Sequence, residues 1–229
     1  MMETLAQRPD TRASLLEAAK RVLRENGYAC LSTREVAAAA GVPLSQIHYH
    51  FGSKRGLVLA LFEYLNAQLL DRQAVLFGAP GLPLSEQWDR ACDYLDEDLA
   101  SGFVQIMHEL YAAAWSEPEI AAVVREASLS WVRLVTDVAR RAEPSVGGFG
   151  AFTAEEVGAL VSNAFIGAES LMLIGLEREH IPIRAALRRV ADLIRLLESS
   201  RAGMSPNGRP SGGGAANNDR ARRKKRDDR

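Results

Sequence analysis

Four consecutive alanines followed by glycine, inside STREVAAAAGVPLSQIHYHFGSKRGL at residues 32–57, leave this chain few ways to fold locally. Ala37, Ala38, Ala39 and Ala40 favour helix, and their small side chains let a second helix approach closely. Ser32 followed three residues later by Glu35 is a capping box, which sets where that helix starts. Gly41 supplies the positive φ that a tight turn between helices needs, and Val42 is an apolar plug for the crossing. Pro43 suits the start of the next helix, because the donor it lacks would be unpaired there anyway. The second helix, about Leu44 to His50, then presents Ser45, Gln46, His48, Tyr49 and His50. Two short helices joined in this way form a helix-turn-helix, whose second helix can enter a DNA major groove.

Helical periodicity extends along most of the chain. Asp10 caps a first helix to about Asn26, with Leu15, Leu16, Ala19, Val22 and Leu23 as its buried stripe and Asn26-Gly27 as its stop. Ser53 caps a fourth helix carrying Leu57, Leu61, Phe62, Leu65 and Leu69 on one side. Residues 78–83 form a loop. Helices follow from about Ser85 to Ser101, Phe103 to Trp115, and Glu119 to Ala142, the last stopped before Pro144. Residues 144–150 make a flexible connection. Thr153 with Glu156 is a second capping box, opening a helix to about Glu177. Pro182 introduces the last helix, about Ile183 to Ser199. The expectation is an all-α protein of about nine helices and no strand.

The pattern continues past the second helix, and here it resembles a known family. TetR-family bacterial transcriptional regulators carry A-G-V-x-x-x-x-[LI]-Y-x-[HY]-F-x-x-K-x-x-L, matched here by Ala40, Gly41, Val42, Ile47, His50, Phe51, Lys54 and Leu57. His48 stands where that family usually has Tyr, and Pro43 where it often has Ser or Thr. The upstream helix is also similar to the family's first, so the resemblance covers about residues 10–70. It implies a DNA-binding domain at 10–70, with the helix-turn-helix at 33–52, and a ligand-binding and dimerisation domain at 71–202. By the same resemblance Thr33 and Arg34 contact phosphate, and Leu44, Ser45 and Gln46 meet base edges, Gln46 having the groups to pair bidentately with adenine. His48, Tyr49 and His50 touch phosphate, sugar or thymine methyls. Lys54, at the start of the fourth helix, shares a phosphate with backbone donors there. Phe51, Ile47 and Val42 belong to the core. Blander readings remain for some of these residues: Arg34 and Lys54 as solvated charge, and His50 as a packed core histidine. A metal held by His48 and His50 is disfavoured, since residues two apart on a helix face different ways.

The formal net charge of −1 argues against a polyanion partner only until it is divided along the chain. Residues 1–56 hold eight Lys/Arg and five Asp/Glu, a balance of +3; residues 57–202 hold twelve and twenty-one, or −9; residues 203–229 hold eight and three, or +5. A basic end on an acidic body suits a protein that meets DNA with one end. From Gly203 onward the composition turns to Gly, Pro and Asn, so 203–229 is expected to be disordered. Its run Arg220, Arg222, Arg223, Lys224, Lys225 and Arg226 is either a non-specific DNA anchor or an inert solvated tail. The two cysteines, Cys30 and Cys92, form no disulfide framework and are expected to be reduced. The polar start, Met1 to Arg12, reads as having no signal peptide, and the resemblance implies a bacterial cytoplasmic protein.

Residues 157–176, VGALVSNAFIGAESLMLIGL, contain one charge, Glu169. That length approaches a membrane span, but Ser162, Asn163, Glu169, Ser170 and the polar flanks argue against one. The last helix places Leu187, Val190, Ile194 and Leu197 at packing-seam spacing. The resemblance implies that these two helices pair across a homodimer, through Ser162, Phe165, Ile166, Leu187, Val190, Ile194 and Leu197. The alternative is that both are simply the core of one subunit. The middle helices are rich in aromatic and sulfur side chains, and the resemblance implies an effector pocket there. Its candidate lining is Trp88, Phe103, Met107, His108, Tyr111, Trp115, Trp131, Asn163 and Met172, suited to a small hydrophobic or aromatic effector, with Glu169 or His108 available for a cation or hydroxyl. For any one aromatic, plain core packing is the competing reading.

No nucleophile elbow, P-loop, H-E-x-x-H or paired metal-ligand motif is present, so neither catalytic residues nor a cofactor is expected. The function expected is a homodimeric repressor on a palindromic operator, released by its effector. The alternative is a helical interaction module that has lost DNA recognition.

Overall fold

The computed structural model describes residues 10–177 and 180–203. Among them are nine helices and no strand: α1 (Thr11–Cys30), α2 (Thr33–Ala40), α3 (Ser45–Phe51), α4 (Lys54–Gly78), α5 (Leu84–Ser101), α6 (Phe103–Ala114), α7 (Pro118–Val146), α8 (Ala154–Leu173) and α9 (Ile183–Gly203). The tail from residue 204, with its basic run, lies outside the described residues. No described helix is long and apolar enough to cross a membrane.

A large core joins α1–α4 to α6 and the start of α7, through Leu15, Leu16, Leu23, Ile47, Leu61, Phe62, Phe103 and Ile106. Each helix contributes one apolar stripe, and the stripes can be removed from water only against one another. A smaller core lies between α5 and α8, where Ala91 and Leu95 meet Phe165, Ala168 and Met172 under Trp88 and Leu187. Ion pairs tie α9 along α5: Arg188 reaches Asp93 at 2.8 Å and Asp96 at 3.1 Å, and Arg184 and Arg195 pair with Asp96 and Asp89.

Five boundaries differ from the sequence expectation, one being the end of α9, which runs past Ser199 to Gly203, the first residue of the stretch expected to be disordered. Helix α1 runs through Asn26-Gly27 to Cys30. An interior glycine costs about 1 kcal/mol, and burial of Val22, Leu23 and the following Leu31 outweighs it. Helix α3 begins at Ser45, so Pro43 precedes the cap instead of opening the helix. Helix α7 continues through Pro144, which removes a single donor near the helix end; Gly147 and Gly148 both donate to the Glu143 carbonyl, at 3.1 and 3.0 Å, and Ala142 and Val146 are buried. Helix α8 stops at Leu173, because Gly175 takes a φ of +74° and the chain turns back, Leu176 N–H donating to the Leu171 carbonyl at 3.0 Å.

Candidate DNA-reading face and internal cavity

Helix α2 starts where Ser32 accepts the Glu35 N–H at 3.2 Å. The Glu35 carboxylate takes the Ser32 hydroxyl and not its backbone N–H, so only half of the expected box forms; at Thr153 and Glu156 both halves are present. Gly41, at φ +67°, donates to the Ala38 carbonyl at 3.1 Å, and Val42 donates to Ala37 at 3.0 Å. This pair of bonds closes α2 and aims the chain into α3.

Ile47 is fully buried under α3, while Val42, Leu44 and Phe51 pack half-buried on the large core. Leu44 is thus partly spent on packing. Ser45 and His48 are exposed, Tyr49 is 80% exposed, and Gln46, His50 and Thr33 are partly exposed. His48 Nδ1 lies 3.2 Å from the Gly52 carbonyl, so the neutral ring protonated there keeps Nε2 as its free acceptor. His50 sits edge-on to Tyr49 at 4.9 Å, half-covered, neither a full core residue nor a free one. Lys54 is exposed at the first residue of α4, where Ser53 caps by accepting Gly56 N–H at 3.1 Å. Arg55 is committed elsewhere, to Glu117 at 2.6 Å and Glu119 at 2.5 Å, whereas Arg34, Lys54 and Arg12, the last lying over the Phe51 ring at 5.6 Å, are exposed cations near α3.

A cavity lies between five helices, with about 600 Å³ unfilled by atoms and partly open to solvent. Helix α4 supplies Phe62, Asn66, Leu69 and Gln73, one face at helical spacing; α5 supplies Ala91, Leu95 and Asp98. Phe103, Met107 and Tyr111 come from α6, Ala127, Ser128 and Trp131 from α7, and Phe165, Ile166 and Glu169 from α8. The Tyr111 and Ser128 hydroxyls are 2.7 Å apart, and Ser128 donates on to the Val124 carbonyl at 2.8 Å. Gln73 is only 4% exposed, yet its Oε1 has no hydrogen-bond partner. Asp98 accepts Arg72 at 2.7 Å, and Arg72 lies over the Tyr94 ring at 4.1 Å. Burial raises the Asp98 pKa to about 6 against the pull of Arg72. Glu169 Oε2 has no partner, and burial, then the Asp98 charge, raises that carboxyl to about 8. His108 Nε2 is 4.0 Å from it, and burial lowers the imidazole's pKa.

The candidate pocket residues divide. Phe103, Met107, Tyr111 and Trp131 line the cavity, and His108 stands behind Glu169. Trp88 packs on Phe165 at 5.5 Å and donates Nε1 to the Leu187 carbonyl at 2.6 Å, tying α5 to α9 instead of lining the space. Met172 is in the small core. Trp115 is 91% exposed just past the end of α6, and Asn163 is exposed and bonds back to the Ala159 carbonyl at 2.8 Å. Asn163 lies about 200° round α8 from Phe165, so the two cannot face one cavity.

The candidate dimer residues divide as well. Ser162 is fully buried and Phe165 nearly so, with Ile166 on the cavity wall; all three face into the interior of this chain. The outward face of α8 carries Leu160, Ala164 and Gly167, and a Cβ added at Gly167 would meet nothing. On α9, Leu187 packs on the small core, Val190 and Ile194 are half-buried, and Leu193, Leu196 and Leu197 are exposed.

Residues 15–61 match the family model of bacterial regulatory proteins, tetR family. Through those residues the chain resembles the DNA-binding domain of the TetR family. It is 34% identical over 115 residues to the HTH-type transcriptional regulator CymR of Pseudomonas putida, and 32% identical over 82 residues to BetI of Rhizobium meliloti. These stretches are 48% and 36% of this chain, and 54% and 40% of the two relatives' own lengths. The fold is shared more widely. A transcriptional regulator from Saccharomonospora viridis in complex with choline superposes with a TM-score of 0.67 at 20% identity, over 81% of this chain and 97% of that one. FadR from Bacillus subtilis in complex with stearoyl-CoA gives 0.62 at 16%, over 80% and 96%.

Sequence reasoning missed the wall that α4 gives the cavity. Asn66 and Gln73 fall in register with Phe62 and Leu69, and a polar side chain inside an apolar stripe was the available signal. Asp98 carried no such mark among the many acidic residues of α5.

Proposed function

We propose that the chain is a homodimeric transcriptional regulator, a non-enzymatic repressor that holds a palindromic operator and leaves it when a small hydrophobic or aromatic effector fills the cavity. Residues 10–70 are the DNA-reading domain and 71–202 the effector and dimer domain, acting in the bacterial cytoplasm. The observation that carries this reading is α4, whose first residue Lys54 borders the DNA-reading face and whose Phe62, Asn66, Leu69 and Gln73 form a cavity wall. Gln46, Ser45 and part of Leu44 meet base edges, while Thr33, Arg34, His48, Tyr49, His50 and Lys54 hold the backbone. The exposed apolar faces of α8 and α9 pair with a second copy, and the two α3 helices stand about 34–36 Å apart, one turn of DNA. That choline and stearoyl-CoA were found in two relatives of this fold supports a ligand role for the cavity.

Fluorescence-anisotropy titration against DNA upstream of the chain's own gene and its neighbours tests the reading, repeated with Gln46→Ala and Lys54→Ala. Specific binding is expected, with Gln46→Ala costing about 1–3 kcal/mol at one base position. Lys54→Ala weakens all sequences alike and lowers the salt slope by about one. A complex indifferent to sequence, or to both substitutions, would overturn it.

A further inference from the structure

We propose that the cavity selects an organic cation, an amine or quaternary ammonium on an aromatic or aliphatic body, with Glu169 as its counter-ion. This rests on the effector reading above and names the class of effector. Glu169 stands on the wall with a side chain 15% exposed and with Oε2 unpaired. A buried carboxyl with no partner is costly, and a leucine would serve plain packing better. No cation among the described residues answers it. Arg72 is held by Asp98 and Glu97 and lies over Tyr94. His108 lies 4.0 Å away, and its burial disfavours the imidazolium.

The rest of the wall complements a cation. Phe62, Phe103, Tyr111, Trp131 and Phe165 line the space, and ring faces attract ammonium groups. Gln73 Oε1 is a buried acceptor with nothing to accept. An anion would meet Asp98 and Glu169 together, and a neutral hydrocarbon would leave Glu169 unpaired.

Binding releases a proton. Burial and then the Asp98 charge keep Glu169 protonated up to about pH 8, so a fixed cation entering at neutral pH displaces that proton to solvent. The charged or titratable groups around it are Asp98 on α5, Arg72 on α4, and His108 and Tyr111 on α6; the α7 wall of Ala127, Ser128 and Trp131 brings none. Asp98, at about 6, titrates below Glu169. Cation affinity therefore rises about tenfold per pH unit toward pH 8 and flattens beyond.

The test titrates the full chain with benzyltrimethylammonium and with its neutral isostere neopentylbenzene, read by tryptophan fluorescence and calorimetry at pH 6, 7 and 8. Expected at pH 8 is a preference of at least about tenfold for the cation, or about 1.4 kcal/mol. Between pH 8 and pH 6 the cation's affinity falls by at least the same factor while the isostere's stays constant. Glu169→Gln, which changes no shape, abolishes both the preference and the pH dependence and keeps the isostere. An isostere bound equally well, or a Glu169→Gln protein that keeps the preference, overturns the proposal. Operator binding is measured alongside. Operator binding without either ligand up to millimolar sinks the cation site alone; cation binding without any operator sinks the regulator reading alone.

Discussion

Replacing Glu169 by glutamine should stabilise the protein, by an amount that depends on pH. In the fold this carboxyl keeps its proton up to about pH 8, because burial and then Asp98 disfavour its charge, whereas the unperturbed group ionises near 4.5. A raised folded pKa gives a contribution that is fully present below the unfolded value and lost as pH climbs through the folded one. Each pKa unit is about 1.4 kcal/mol, so wild type loses about 3 kcal/mol relative to the glutamine variant between pH 5 and pH 7. The loss ends near pH 8, where the folded state ionises too. Asp98, raised to about 6, falls in the same direction in both proteins and largely cancels in the difference. The assay is urea unfolding of both proteins at half-unit steps from pH 5 to pH 8.5, at one fixed protein concentration, since a self-associating protein's stability depends on it. A difference that stays within about 0.5 kcal/mol over the whole range would mean that Glu169 is solvated in the fold, and the burial argument would fall.

Arg55→Ala removes the pairs to Glu117 and Glu119; these are exposed, so thermal melts should show a loss below about 1 kcal/mol, while anisotropy should show a weaker effect of effector on operator binding. Leu193→Glu with Leu196→Glu, on exposed positions of α9, should give folded monomers by sedimentation velocity and abolish tight operator binding; an unchanged dimer would place the interface elsewhere. Gly158→Ala puts a Cβ 2.2 Å from Thr136 Oγ1 and 3.0 Å from the Thr136 backbone, so it should cost about 1–3 kcal/mol in urea unfolding by forcing α7 from α8. Gly167→Ala meets nothing in its own subunit, so the protomer should not lose stability, and any loss should appear in the dimer dissociation constant.

The helix-turn-helix could be read from sequence because its physics is short-range. A capping serine, an alanine run and a glycine turn decide conformation within a few residues, and Ser32, Gly41 and Ser53 do in the fold what their types imply. The facing of α8 could not be read. Residues 157–176 carry one charge, Glu169, and only the scattered polar residues Ser162, Asn163 and Ser170, so periodicity offers no continuous polar side to mark solvent. Ser162, Phe165 and Ile166, expected at a dimer interface from the resemblance, turn inward, Phe165 against Trp88 of α5 and Trp131 of α7. Helix ends at Gly27 and Pro144 were misread for a related reason: local breakers were overridden by burial on the far side of the helix. Trp115 was grouped with the other aromatics by composition alone, which carries no direction.

The two sites are not independent objects on one scaffold. Phe62 stacks on Phe103 at 5.7 Å, and both rings belong to the large core as well as to the cavity wall. That core also holds Ile47, the buried anchor of α3. Tyr64 donates to Glu17 at 2.5 Å and Lys20 to Gln68 at 3.0 Å, so α4 is also bound to α1 along its length. A close-packed interior does not deform by degrees. A molecule that displaces Phe62 must therefore move α4 with α1 and α3 as a body, or be refused. Only the first outcome links effector to operator, and linkage then makes the two mutually weakening by one common factor.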